Sequence, residues 1–241
     1  MSVAVIVVAG GAGSRIGREV NKVYLPIRRR ATLTYSLETL EQAPAVAEIV
    51  LVVRDEDRAS AREAAAAVPI TKPLHTVTGG SSRQLSELAG LEAIAPAIES
   101  GGIELVAIHD GARPFLTIAL LESVLDRART EGGAIPGLMI DGPVYRREGD
   151  RIALLPDGAL RRVQTPQAFR AKPLLDAYRR AAEAGFEGAD TAETVERFGE
   201  VTTVVVTGDP GNLKLTFVED FFVAEDLALR WERGRWLQAG G

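Results

Sequence analysis

The chain has 241 residues, 46% of them hydrophobic, which suffices for one sizeable core and excludes a disordered polymer. It contains no cysteine, which rules out disulfides, thiolate zinc sites and a cysteine nucleophile together. A formal charge of -5 argues against broad binding to nucleic acid, and no apolar run approaches the ~20 residues of a membrane span.

With no basic leader or cleavage site at its start, the chain reads as a cytoplasmic protein, a single domain over residues 1–241, with neither nucleic acid nor membrane as partner. Val3 to Ala9 is a continuous β-branched apolar run, the pattern of a strand buried on both faces. Residues 48–53, 75–78, 104–110 and 201–206 repeat it, while 34–42, 56–67, 83–97, 117–131, 171–184 and 218–235 carry helical spacing. Strands alternating with helices predict a doubly wound, mostly parallel α/β sheet of Rossmann-like type. The rhythm breaks at 137–160, where turn glycines and short alternating stretches predict a β-arm that leaves the sheet. Beyond Asp226, Trp231 and Trp236 are expected to pack the last helix onto the sheet or to stabilise a dimer.

The glycine-rich turn after the first strand offers backbone N–H groups to an anion, with phosphate as the natural guest. No Gly-Lys-Ser/Thr follows, so it is not a Walker loop, and the acid that a dinucleotide fold wants some 20 residues on is missing. Arg15 and Lys22 stand instead where a triphosphate would lie. The segment HDGARP (109–114) ends the predicted strand 104–110 and puts Asp110 at the crevice where open α/β sheets bind ligands. One carboxylate holds Mg²⁺ when phosphates supply other ligands. Arg113, fixed in a turn, suits a second phosphate, whereas His109 is expected to pack or orient its neighbour and His75 to be structural. In GGSSRQLSELAGL (79–91) a Gly-Gly turn feeds a helix; it is either a plain helix start or a surface for a flat base, with Ser86 near an exocyclic group. Lys214, in GNLKLTFVEDF (211–221), either meets a phosphate or stays solvated.

Taken together, AGGAGSR, Lys22 with Tyr24 to Pro26, GGSSRQLS, HDGARP, QTPQAF and NLKLT followed by Glu219-Asp220 have the order and spacing of one family. Over residues 3–226 the chain resembles the 2-C-methyl-D-erythritol 4-phosphate cytidylyltransferases of isoprenoid precursor synthesis. The resemblance implies a nucleotidyltransferase fold whose β-arm clasps a second subunit into a homodimer. It implies a reaction in which CTP and a small phosphorylated acceptor give a CDP-linked alcohol and pyrophosphate, with Mg²⁺ or another divalent cation. It also implies roles: Ala9, Gly10, Gly11, Gly13 and Arg15 cradle the triphosphate, Arg15 and Lys22 are catalytic, and Gly80 and Ser86 meet the cytidine. Asp110 holds the metal and touches both substrates, Arg113, Thr165 and Asp190 bind the acceptor, and Lys214 draws the two anions together.

Several positions depart from the family pattern. Lys22 follows Asn21 where proline is usual, and Arg28 to Arg30 replace a glycine. The arm has Gly142-Pro143-Val144-Tyr145 in place of an Asp-Thr-x-Lys stretch, Asp157 replaces an arginine, and Ala189-Asp190-Thr191 lacks the expected first hydroxyl, for which Thr191 is a candidate substitute. These changes fall on the acceptor side. They leave open another acceptor, such as ribitol 5-phosphate or a phosphonate, and a CTP-binding descendant without turnover. A nicotinamide-dependent oxidoreductase would share the glycine loop and leave HDGARP and QTPQAF unexplained.

Overall fold

The computed structural model describes residues 2–11, 21–155 and 160–233. The chain runs through β1 (Val3–Val8), a small hairpin of β2 (Pro26–Ile27) and β3 (Arg30–Ala31), α1 (Thr32–Gln42), β4 (Val46–Val53), α2 (Arg58–Ala66), β5 (Leu74–Thr78) and α3 (Arg83–Ala93). It continues with α4 (Ala95–Glu99), β6 (Leu105–Asp110), α5 (Ile118–Glu131), β7 (Gly132–Met139), β8 (Tyr145–Glu148), β9 (Arg151–Leu154) and β10 (Arg161–Val163). Then follow β11 (Gln167–Arg170), α6 (Ala171–Glu183), α7 (Thr191–Phe198), β12 (Thr202–Thr207) and α8 (Asp220–Glu232).

Strands β5, β4, β1 and β6 are parallel neighbours in that order. Next to them β11 runs antiparallel to both β6 and β7, and β7 also pairs with β10 and, in parallel, with β12. The two-residue period of a strand sends alternate side chains to opposite faces. Val3, Val5 and Val7 accordingly join α1, α2 and α5 in one core, while Ala4 and Ile6 join α3, α4, α6 and α7 in the other. Both faces of the sheet are therefore covered, which is why its central strands are continuous apolar runs. Gly90 lets α3 approach closely: a Cβ there would lie 2.7 Å from Ile6 Cγ2 and 2.9 Å from Val52 Cγ2.

A third core lies under α8. Trp231 packs edge-on against Tyr35, ring centroids 6.3 Å apart, and tilted against Phe115 at 6.1 Å, so it ties α8 to α1 and the turn after β6 and not, as expected, to the main sheet. Trp236 lies outside the described residues.

Some expectations are corrected. The predicted helix 83–97 is two, α3 and α4, because Pro96 near the start of α4 has no N–H to continue the first ladder. Residues 137–139 belong to β7 in the main sheet, so the arm leaves after Met139 and rejoins at β10. Its described part is the β8–β9 hairpin, which turns at Gly149 with φ of 64°. Strands β7, β10 and β11 and helix α7 were not anticipated. No helix among the described residues is long and apolar enough to cross a membrane.

The β2–β3 turn carries Arg28 and Arg29 at φ of 47° and 67°, left-handed backbone that β-carbons disfavour. Arg28 is anchored to α8, its N–H donating to Glu225 Oε1 at 3.0 Å and its Nε to Glu232 Oε2 at 3.0 Å. Arg29 has no such anchor. Arg29→Gly is expected to raise stability by up to about 1 kcal/mol, a Tm increase of ~2–4 °C for a chain of this size, whereas Arg28→Gly gains less because it loses the tie to Glu232. Thermal melts of the two variants check the order.

Candidate active site

The C-terminal ends of β1, β4, β5 and β6 open into a cavity of about 420 Å³. Gly10 and Gly11 follow β1, Gly80 follows β5, and Asp110 ends β6; all four line it, with Lys22, Ser86 and Lys214. Parallel strands leave their C-terminal ends and the following turns free to shape such a crevice. Ala9 is wholly buried beside it, its N–H on Val52 O and its carbonyl accepting from Asn21. Gly13 and Arg15 lie outside the described residues.

Asp110 is the electrostatic centre. Its Oδ1 accepts from Arg83 Nη2 at 3.2 Å and its Oδ2 from Lys214 Nζ at 2.7 Å, with Arg113 Nε 3.8 Å away. Burial pushes the carboxyl up, but Arg83, then Lys214 and Arg113, outweigh it and hold the group well below the usual carboxylate range. The carboxylate is thus ionised throughout the physiological range.

Behind Asp110 the HDGARP and QTPQ segments interlock. Asp110 N–H donates to Thr165 Oγ1 at 3.0 Å, and Thr165 Oγ1 lies 3.4 Å from His109 Nδ1. His109 Nε2 stands 3.0 Å from Arg113 O. Burial lowers the imidazole to about 4, so the ring is neutral, with Nε2–H donating to the carbonyl and Nδ1 accepting from the hydroxyl. His109 therefore orients its neighbours, as expected. His75 is half exposed, 3.4 Å from Glu48 across the β4–β5 edge and away from the cavity.

The loop carrying Lys214 is fixed by the same segments. Gln164 Nε2 donates to Asp209 O at 2.8 Å, Asn212 Nδ2 to Thr165 O at 2.7 Å, Arg113 Nη1 to Asn212 O at 2.8 Å and Leu215 N–H to Ala112 O at 2.9 Å. These bonds bring a lysine 104 residues away in sequence onto Asp110. Lys214 is therefore on the cavity wall, paired with Asp110 and still partly exposed.

Three predicted acceptor residues are not on the cavity wall. Arg113 is buried and spends Nη1 on Asn212, Thr165 supports Asp110 from behind, and Asp190 caps α7, its Oδ1 accepting from Glu193 N–H at 2.9 Å and its Oδ2 from Gln167 Nε2 at 3.0 Å. Thr191 is no substitute for the missing hydroxyl either, since its Oγ1 donates to Glu87 Oε1 at 3.2 Å. Ser86 lines the cavity and also holds the Gly80 turn, accepting from Gly80 N–H at 3.2 Å while donating to Ser82 O at 2.8 Å. A Cβ on Gly80 would stand 2.4 Å from Leu85 Cβ, so the turn requires glycine. Ser82 caps α3 by accepting from Leu85 N–H at 3.2 Å, so helix start and cavity wall are one feature.

Arg83 and Arg54 were missed. Both line the cavity from positions whose reach depends on tertiary structure; the local signal was an arginine at the first position of a capped helix and another just past a strand end. Arg83 Nη2 is shared between Asp110 and Glu87 Oε1 at 3.1 Å, and Nη1 donates to Ala189 O at 3.2 Å. Glu87 is wholly buried and also receives Tyr178 OH.

Among the described residues no three carboxylates or histidines cluster as a metal site, and Asp110 is the one carboxylate on the cavity wall. Each of its oxygens carries one hydrogen bond and keeps a second lone pair. This donor set fits a hard divalent cation that takes its remaining oxygens from nucleotide phosphates and water.

A sequence model of the 2-C-methyl-D-erythritol 4-phosphate cytidylyltransferase family matches residues 3–230. The enzyme of that name from Cereibacter sphaeroides is 39% identical over 228 residues, covering 94% of this chain and 97% of its own, and that from Bacillus velezensis 34% over 226 residues, covering 93% and 95%. Among solved structures, 4-diphosphocytidyl-2C-methyl-D-erythritol synthase from Anaerococcus prevotii superposes with a TM-score of 0.82 at 27% identity, covering 95% of this chain and 98% of that one. The 2-C-methyl-D-erythritol 4-phosphate cytidylyltransferase of Thermus thermophilus does so at 0.73 and 28%, covering 95% and 100%.

The Glu87 network generates a pH signature. Burial raises this carboxyl from its ordinary 4.5 to about 7, against the opposing pull of Arg83. The native state therefore keeps a proton that the unfolded chain releases; the stability this contributes is full below about 4.5 and is lost as pH rises through about 7. Glu87→Gln removes that dependence. The unfolding free energy of wild type minus that of the variant should fall by up to ~3 kcal/mol between pH 4.5 and 7.5 in urea titrations. A pH-independent difference would show that Glu87 is already ionised when folded.

Proposed function

The chain belongs to the 2-C-methyl-D-erythritol 4-phosphate cytidylyltransferase family, and from that premise we propose that it transfers the cytidylyl group of CTP to 2-C-methyl-D-erythritol 4-phosphate. The observation that carries this reading is the pairing of Asp110 with Lys214 inside a cavity also walled by Gly10, Gly11 and Lys22. A carboxylate flanked by cations beside a glycine turn is what a metal-bound nucleoside triphosphate needs.

An acceptor phosphate oxygen attacks the α-phosphorus of CTP, the bond from that phosphorus to the bridging oxygen breaks, and pyrophosphate carries away the electron pair. Little covalent chemistry falls to the protein, so positioning and charge neutralisation do the catalysis. Ala9, Gly10, Gly11 and Gly13 form the phosphate cradle, and Arg15 and Lys22 stabilise the charge that grows on the phosphoryl oxygens. Gly80 and Ser86 receive the cytidine. Asp110 would hold a divalent cation such as Mg²⁺, which would supply neutralisation of phosphate charge. Lys214 reaches the cavity from the opposite side of Asp110 from Arg83 and draws the two anionic substrates together. Arg113, Thr165 and Asp190 serve the acceptor side indirectly: the first two fix Asp110 and the Lys214 loop, and the third fixes the start of α7.

We read the whole chain as one cytidylyltransferase domain that works as a homodimer through its arm. The β8–β9 hairpin exposes Tyr145, Ile152 and Leu154, apolar surface suited to a second copy. A cytoplasmic setting agrees with the soluble substrates.

Pyrophosphate release with CTP, Mg²⁺ and 2-C-methyl-D-erythritol 4-phosphate tests the reading, with ribitol 5-phosphate and a simple phosphonate as competing acceptors. Asp110→Asn and Lys22→Ala should each lower kcat/KM by ~100-fold or more, the usual consequence of losing preorganised charge stabilisation. Release with ribitol 5-phosphate alone would move the assignment to another acceptor, and no release with any acceptor would leave a nucleotide-binding protein.

A further inference from the structure

Asn21 and Arg54 on the cavity wall, and the buried Asp57 that bonds to both, have no part in the chemistry above. Asn21, 1% exposed, uses both amide N–H donors and one lone pair of its oxygen. Its Nδ2 donates to Ala9 O at 2.7 Å and to Asp57 Oδ2 at 2.9 Å, and its Oδ1 accepts from Val23 N–H at 3.3 Å, capping the short turn that carries Lys22. Asp57 in turn grips Arg54 with both oxygens, at 2.8 Å from Nε and 3.0 Å from Nη2. Glu56 Oε1 lies 3.0 Å from Arg54 Nη1. Arg54 keeps a quarter of its side chain exposed, and it lines the cavity. Its Cγ passes 3.8 Å from where a Cβ on Gly10 would be, and Ser86 Oγ faces the same point at 3.9 Å.

We propose that Arg54 is a nucleoside-contacting residue of this enzyme, locked in place by Asp57 and Asn21. The inference rests on the CTP reading above and extends it. Arg54 follows β4, which is separated from β6 and Asp110 by β1. At ~4.8 Å per strand this puts Arg54 and Asp110 roughly 10 Å apart across the glycine turn, the span from a metal-bound phosphate to a nucleoside. Charge settles which part of the nucleotide it meets. Two carboxylates already offset the guanidinium, so it has little attraction left for phosphate and suits the uncharged ribose and pyrimidine, which its stem and planar head can line. Donating to Asp57 also raises the guanidinium pKa above its ordinary value, so it stays protonated.

Asn21 and Asp57 are positioning residues. Asn21 links the nucleoside wall to the Lys22 turn and to the carbonyl that begins the glycine turn, so its loss should disturb both ends of the nucleotide.

The test is a KM-against-kcat split. Arg54→Met keeps the stem and removes the fork; it should raise KM for CTP ~10-fold, leave kcat within about 3-fold and leave the acceptor KM unchanged. Calorimetry should show CMP binding weakened by the same factor, with pyrophosphate inhibition unchanged. Arg54→Lys should fail to restore affinity because an ammonium cannot replace the two-point grip on Asp57. Asp57→Asn should share the KM effect, whereas Asn21→Ala should also lower kcat. Should Arg54→Met fold poorly in urea melts, Arg54→Lys and Asp57→Asn carry the test. A CTP KM and CMP affinity within 2-fold of wild type in well-folded variants overturns the proposal, as does a loss confined to kcat. Wild type that binds CMP but releases no pyrophosphate would instead refute the proposed reaction and leave the Arg54 contact measurable by CMP binding.

Discussion

A buried carboxylate surrounded by cations organises this molecule. Asp110 reaches its place because β6 is apolar on both faces up to its last two residues, and it stays charged because Arg83, Lys214 and Arg113 converge on it from three parts of the chain. Such an arrangement is a poor source of stability: desolvating the charges costs about as much as their attraction returns, and removing one partner costs ~3–5 kcal/mol because it strands the others. Its value lies in geometry. The geometry requires that each cation be held independently of the carboxylate, and the structure meets this: Lys214 through the loop tied to Gln164 and Asn212, Arg113 through Asn212 O, Arg83 through Glu87 and Ala189 O.

That division explains why QTPQ recurs at every joint. Gln164 holds the 209–212 loop, Thr165 holds Asp110 and His109, and Gln167 accepts from Ala192 N–H at 2.9 Å and donates to Asp190, fixing the start of α7. Three residues of this four-residue segment thus brace three sides of one site without any of their side chains lining the cavity. Their mutual arrangement depends on β11 entering antiparallel between β6 and β7, where the run of parallel strands ends.

The sheet was readable in the sequence wherever burial on both faces removed the polar alternation, as in β1, β4 and β6. It was unreadable in β7, whose Gly132, Gly133, Pro136 and Gly137 read as turn residues although Gly133 is needed there: a Cβ would stand 2.5 Å from a Phe169 ring carbon. Helix α7 has only eight residues, too few for periodicity, although at its start Asp190 accepts from Glu193 N–H and Glu193 from Ala189 N–H. In the site, Asp110 and Lys22 were visible as residues at strand ends and turns. Arg83 and Arg54 were not, since an arginine's target is set by which elements pack beside it, and that Asp110 lies 27 residues from Arg83 could not be foreseen from local pattern. The family pattern marked Arg113, Thr165 and Asp190 for the acceptor; in the structure they do not line the cavity and bond to Asn212 O, Asp110 N–H and Glu193 N–H respectively.

The same bookkeeping of charge resolves an apparent conflict between a chain of net charge -5 and a polyanionic substrate. Around the Asp110 end, Arg83, Arg113 and Lys214 face two carboxyl groups, Asp110 and Glu87, and burial favours the neutral form of the second. The local balance is therefore positive by one or two charges inside a low-dielectric crevice, where it counts for far more than the acids spread over solvated helices. At the Arg54 end, Asp57 and Glu56 reverse the balance. A triphosphate entering this gradient is oriented before any specific contact forms, its phosphates drawn toward β6 and its nucleoside toward β4, so electrostatics sets the polarity of binding and the hydrogen-bonded frame behind Asp110 only has to set the last ångström.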